Sequence, residues 1–135
     1  MTAPTLDAPR PRVLIVDDEV DNRVLLSIML AWDGFVTQTA DDGEQALLSV
    51  AADPPDVILV DLMMPGIDGH QLTAQLKQNS ESKGIPVIML SAVNDSATRK
   101  RALSSGVAAY VTKPIDRIEL CEQVRSVLGL KAHRV

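Results

Sequence analysis

Asp17 and Asp18 close the run Arg12-Val-Leu-Ile-Val-Asp-Asp-Glu19, and Asp61 closes a second run, Val57-Ile-Leu-Val-Asp61. In each, four apolar residues read as a short buried strand that ends in acid. Set side by side in a parallel sheet, such strands bring three carboxylates to one edge. Like charges held that close cannot all ionise cheaply without a cation among them. Hard oxygen donors of this kind suit a divalent ion, Mg²⁺ first and Mn²⁺ as a substitute. Each acid also has a plainer reading. Asp17 and Asp18 can cap the following helix, and Asp61 can be a turn residue ahead of Met63-Met64-Pro65-Gly66. Two further residues weigh against coincidence. Ser91 follows the strand-like Val87–Leu90, and Lys113 follows Ala108–Val111 and precedes Pro114. Three acids, a hydroxyl and an amine then share the carboxyl edge of four strands, where open α/β sheets bind ligands.

The elements that must position them alternate along the chain. Strands are predicted at Val13–Val16, Phe35–Thr39, Val57–Val60, Val87–Leu90 and Ala108–Val111. Helices are predicted at about Asp21–Trp32, Gly43–Ala51, Gly69–Gln78, Asp95–Ser105 and Arg117–Leu128, with Gly and Pro at the junctions. Five βα repeats imply a doubly wound parallel sheet with helices on both faces. In the first helix, Leu25, Leu26, Met29 and Leu30 form a stripe expected to face the sheet, while Val20, Val24, Ile28, Ala31 and Trp32 fall on the other side. A surface helix is normally polar there. The second set reads as a docking face for a partner or a second copy, against scattered exposed apolar residues as the plainer account.

Composition bounds the class. The 135 residues suit one domain. Residues 1–11, with three prolines, read as a tail, 12–130 as the folded domain and 131–135 as a second tail. Aromatics are only 2% of the chain, so aliphatic residues must fill the core. A net charge of −5 argues against nucleic acid as a direct partner. The lone Cys121 excludes an internal disulfide and fits a reducing compartment. No apolar run approaches a bilayer span, and the amino terminus is not signal-like; the expectation is a soluble cytoplasmic domain without membrane contact. After Leu128 seven residues remain, too few to fold alone, so the sequence reads as a stand-alone regulator or a piece of a longer chain. Met1 ahead of the proline-containing stretch favours a natural start.

Four stretches in order, Val-Asp-Asp-Glu (16–19), Val-Asp-Leu-Met-Met-Pro-Gly-Ile-Asp-Gly (60–69), Met-Leu-Ser-Ala (89–92) and Gly-Val-Ala-Ala-Tyr-Val-Thr-Lys-Pro (106–114), resemble the receiver domain of bacterial two-component response regulators. The resemblance implies a five-stranded parallel sheet of order 2-1-3-4-5 with five flanking helices. It implies that Asp61 accepts a phosphoryl group from a histidine kinase or histidine phosphotransfer protein. Asp18, Asp61 and the Met63 carbonyl would ligate Mg²⁺, with Asp17 acting through water. It further implies that Lys113 and Ser91 contact the phosphoryl group, that Ser91 and Tyr110 form the switch, and that Lys113–Pro114 is a cis peptide. The chain would then catalyse only its own phosphorylation and dephosphorylation. Asn22 and Leu25 lie nearest the edge where such domains meet the histidine-bearing helices, and Val24, Ile28 and Trp32 extend the docking face. The fourth helix, fifth strand and fifth helix would present the effector surface, and a homodimer is a further expectation.

Two other functions share parts of this pattern. A Mg²⁺-dependent phosphatase with an aspartyl-phosphate intermediate usually places an acid two residues after the nucleophile, and Met63 stands there. A flavin carrier would need a Ser/Thr/Gly loop after the first strand, where Asp-Asp-Glu instead repels phosphate. His70 and His133 lack metal-ligand spacing and read as solvated. Arg99-Lys100-Arg101 reads as a solvated helix face, and Cys121 as helix filler.

Overall fold

The structure is a computed structural model and describes residues 10–130. The expected tails fall outside that range apart from Arg10 and Pro11, and so does His133. Five strands, β1 (Arg12–Val16), β2 (Val36–Ala40), β3 (Val57–Asp61), β4 (Val87–Ser91) and β5 (Ala109–Thr112), alternate with five helices. These are α1 (Val20–Trp32), α2 (Gly43–Ala52), α3 (Gly69–Gln78), α4 (Ser96–Ser104) and α5 (Arg117–Val127). All strand pairs are parallel, in the order β2-β1-β3-β4-β5. The architecture is the doubly wound one that the alternation predicts. Strand boundaries differ by one residue in places: β2 begins at Val36, because Phe35 turns into the core before the ladder starts, and β5 runs to Thr112.

Side-chain alternation along each strand builds two cores. Leu14, Val16, Ile58, Val60, Val87 and Met89 face α2, α3 and α4. Val13, Ile15, Val57, Leu59, Ile88 and Leu90 face α1 and α5. Every residue of β3 and β4 is buried, as expected of inner parallel strands. Each fully buried Val, Leu or Ile there contributes about 1.5–3 kcal/mol. That rigidity matters because Asp61 and Ser91 are the last residues of these two strands.

Four helices start with the same device. Asp42, Asp68, Asp95 and Asp116 are N-caps whose carboxylates accept from the backbone N–H of Gln45, Gln71, Thr98 and Glu119. Helix α1 is the exception. Its N-cap is Glu19, whose side chain makes no capping bond. Neither Asp17 nor Asp18 is therefore the N-cap of α1: Asp17 holds the N–H of Glu19 with one oxygen only, and its other oxygen is left for other work. The core stripe of α1 is also narrower than its sequence suggests. Leu26 and Leu30 are buried and Met29 half-buried, but Leu25 is 51% exposed. Leu25 looks past the sheet toward the loop after β5, so its place is at an edge of the helix face rather than in the core.

Candidate functional site

Strand β1 delivers Asp17 beneath the surface and Asp18 to its mouth. Asp17 is 1% exposed, and its backbone N–H donates to the Ala40 carbonyl at 3.2 Å, extending the β1–β2 ladder one step past the strand. Its Oδ1 accepts from the Glu19 N–H at 2.9 Å, and the Arg23 guanidinium donates to its backbone carbonyl at 2.7 Å. Its Oδ2 is buried without a hydrogen-bond partner. Asp61 is 5% exposed at the end of β3. The loop after it folds back so tightly that a Cβ at Gly69 would stand 2.8 Å from the Leu62 Cα, which reserves that position for glycine. One oxygen from each of Asp17, Asp18 and Asp61 lies within 4.8 Å of the other two.

The Lys113 ammonium reaches this cluster from the far side, with Nζ 3.2 Å from Asp61 Oδ1. The Lys113 backbone N–H donates to the Ser91 carbonyl at 2.8 Å, and its peptide bond to Pro114 is cis. Burial pushes the Asp61 carboxyl above its ordinary range, and Asp17 adds to this, while Lys113 and the Met63 N–H pull it back. Three carboxylates against one ammonium leave the pocket with excess negative charge. An oxygen buried without a partner is costly. Three hard oxygen donors and one such orphan, Asp17 Oδ2, are the donor set a divalent cation takes.

Ser91 is fully buried, and its Oγ accepts from the Val93 N–H at 2.9 Å. Tyr110 lies inward, 6% exposed, and its hydroxyl donates to the Val93 carbonyl at 2.6 Å. Both side chains thus hold the same residue. The Arg99 guanidinium sits 5.4 Å from the centre of the Tyr110 ring. Arg99 is solvent-exposed as expected, but it also covers the tyrosine. Met63 is 67% exposed beside the pocket.

Next to the acids opens a cleft of about 240 Å³ between α1 and the loop after β5. Asp17 and Lys113 form its polar wall; Leu25, Leu26, Pro114 and Ile115, with Asn22, form the rest. Asn22 and Leu25 therefore border the same cleft as Asp17 and Lys113. Ile115 was not singled out in the sequence; its cue is its place directly after Lys113-Pro114. Val24, Ile28 and Trp32 do not reach the cleft and lie exposed on the outside of α1. His70 departs from expectation. It is half-buried at the start of α3, with Nδ1 buried and unpartnered. Its imidazole is held below the usual histidine range, first by burial and then by Arg101, with Asp68 opposing. Cys121 is core filler between α5 and α1, its Sγ 3.7 Å from the Met29 carbonyl.

The model of the response regulator receiver domain family matches residues 13–125. The chain belongs to the response regulator receiver family. Receiver domains are the signalling domains of two-component systems. This receiver is 40% identical over 120 residues to the response regulator PleD of Caulobacter vibrioides, covering 89% of this chain and 26% of that protein. It is 38% identical over 123 residues to the DNA-binding response regulator MtrA of Mycobacterium tuberculosis, covering 91% of this chain and 53% of that protein. The chain thus spans between about a quarter and a half of these curated relatives. Among solved structures, the Francisella response regulator 1452 receiver domain superposes with a TM-score of 0.83 at 32% identity, covering 89% of this chain and 98% of that one. The chemotaxis protein CheY4 of Vibrio cholerae gives 0.83 at 27% identity, covering 88% and 99%. Among the described residues of this receiver, no helix is long and apolar enough to cross a membrane.

Proposed function

We propose that residues 12–130 act as the phosphoacceptor module, with Asp61 taking a phosphoryl group from a histidine of a kinase or phosphotransfer protein. The observation that carries this reading is the setting of Asp61: buried, held at 3.2 Å by Lys113, and clustered with Asp17 and Asp18. A carboxylate oxygen of Asp61 attacks phosphorus, the new O–P bond forms as the N–P bond of phosphohistidine breaks, and the histidine leaves with a proton. Charge repels charge in that approach, so the pocket must supply positive charge where the transition state spreads its negative charge. The Lys113 ammonium does so from one side. Asp18, Asp61 and the Met63 carbonyl would hold Mg²⁺, or Mn²⁺ in its place, with Asp17 acting through water; when bound, the ion neutralises charge on the phosphoryl oxygens.

The Ser91 hydroxyl then donates to the arriving phosphoryl group. Because Ser91 and Tyr110 both hold Val93, a shift of one is felt by the other. That shared residue supports a route from the pocket to the surface of α4, β5 and α5, which we assign as the effector face. Asn22 and Leu25, on the cleft rim beside Asp17 and Lys113, are placed to meet the histidine-bearing helices. The domain turns over no external substrate, acting only on its own aspartyl phosphate. A phosphatase would want an acid or base two residues after Asp61, and Met63 offers neither. The test is labelling by acetyl phosphate, read by intact mass. Wild type is expected to label with Mg²⁺ and not in excess EDTA, and Lys113→Ala to label far more slowly. Full labelling of Asp61→Ala would overturn the assignment.

A further inference from the structure

The outer side of α1 is apolar from Val24 to its end, with Asp21 the exposed acid of its first turn. Val20, Val24, Ile28 and Trp32 follow one another at four-residue spacing, all more than half exposed, with Trp32 at 79%. From Val24 to Trp32 there is no charged residue. Beside this ridge run the smaller Ser27 and Ala31, also four apart. A ridge next to a shallow row of small residues is the surface on which two helices pack by interdigitating their i±4 rows.

We propose that this ridge is a homodimer interface, in which α1 of one copy packs across α1 of a second copy about a two-fold axis near Val24 and Ile28. Three observations favour a second copy as the occupant. The first is charge: the chain carries −5, so most of its surface repels another copy, whereas the stretch from Val24 to Trp32 is uncharged and meets no such repulsion. The second is shape, since a two-fold pair needs a self-complementary patch, and ridge and groove lie on the same helix. The third is area. Covering Val20, Val24, Ile28 and Trp32 would remove at most roughly 500 Å² per copy, or about 950 Å² in the pair, the size of a weak, concentration-dependent interface. A patch of that size is at the upper end of what monomers leave exposed. The ridge also extends away from the pocket: Trp32 lies ten residues beyond Asn22, about 15 Å along the helix. The proposal does not depend on the role of Asp61.

Trp32 is the only tryptophan in the chain and reports directly on this face. Sedimentation velocity and tryptophan emission are to be followed together from micromolar to near-millimolar protein. The wild type is expected to move from monomer to dimer, with emission shifting to shorter wavelength over the same concentration range. Ile28→Glu should weaken the dimer about thirty-fold or more and hold the emission at its long-wavelength position. Val24→Lys serves as a second variant should Ile28→Glu fold poorly by circular dichroism. Leu103→Glu, on the opposite side of the sheet, should leave the dimer intact. A wild type that stays monomeric with constant emission overturns the proposal. So does a dimer that survives both α1 variants, which places the interface elsewhere. Short-wavelength emission from a monomer that moves to longer wavelength on deletion of residues 1–9 would instead assign the ridge to the chain's own tail.

Discussion

Replacing Asp61 by asparagine removes a charge without changing shape, and its effect on stability isolates the electrostatic cost of the pocket. Three carboxylates have oxygens within 4.8 Å of one another, and one ammonium stands 3.2 Å from the central one. At an effective dielectric near 20, unit charges about 5 Å apart interact by about 3 kcal/mol. Asp61 takes part in two such repulsions, about 7 kcal/mol together, and in one attraction at 3.2 Å of about 5 kcal/mol, so its removal relieves about 1.5 kcal/mol. Relaxation and water reduce that to about 1 kcal/mol. In EDTA at neutral pH, Asp61→Asn is therefore expected to be more stable than wild type. For a domain of this size about 3–5 °C accompanies each kcal/mol. The pH dependence has a definite sign. Asp61 titrates above its unfolded value, so the folded state binds more protons and loses stability as pH rises from the ordinary carboxylate range through the raised value. The wild-type deficit is fully present above that window and vanishes below it, so the two melting curves should converge in acid. Saturating Mg²⁺ should also narrow the gap, since binding only the native state adds about 1–3 kcal/mol at roughly 10–100 times Kd. Thermal melts at several pH values with EDTA and with Mg²⁺ provide the assay. A less stable Asp61→Asn in EDTA, or a gap that widens in acid, would refute the reasoning.

Aspartyl-phosphate decay should be slow, because Met63 and Val93 cannot hydrogen-bond a water in line with phosphorus; Met63→Asn and Val93→Glu should each hasten loss of label, and unchanged decay in both would contradict this. Burial pushes the Cys121 thiol up to about 11, so the native state loses stability as pH climbs from 9 toward that value, by up to roughly 2–3 kcal/mol relative to Cys121→Ala; equal alkaline melting of the two proteins would refute it. Arg125 donates to the Asp33 carboxylate at 2.9 Å and to its carbonyl at 3.1 Å while lying over the Phe35 ring, fastening α5 to the end of α1. Arg125→Ala leaves a largely buried carboxylate behind and should cost about 2–4 kcal/mol in urea melts, whereas a cost near that of a surface pair, under 1 kcal/mol, would mean the clasp is incidental.

The order of elements was legible because inner parallel strands are continuous apolar runs and each ends in a residue of distinct chemistry. The same reading located the acids, since a strand fixes where its last residue goes. It could not separate a metal-type acid from a helix-entry one at Asp17, because both follow a strand and precede a helix; the structure gives one Asp17 oxygen to the Glu19 N–H and leaves the other buried beside Asp18 and Asp61. Leu25 was misplaced because 3.6-residue spacing gives the direction of a stripe but not its width. That width depends on how far α5 and the loop after β5 lie from α1, which is a tertiary fact. His70 was misread for a similar reason: its burial is tertiary, and Arg101, whose charge acts on it, is 31 residues away in the chain. The shared grip of Ser91 and Tyr110 on Val93 has no local signal, because it joins a loop to a neighbouring strand.

The central claim is that one carboxylate, Asp61, carries the phosphoryl group. The most direct measurement is to label the chain with acetyl phosphate and Mg²⁺, trap the acyl phosphate by borohydride reduction, and sequence the peptides by mass spectrometry. Reduction is expected at position 61, with Asp17 and Asp18 unmodified. Reduction at either of those acids, or at any acid with Asp61 left intact, would contradict it.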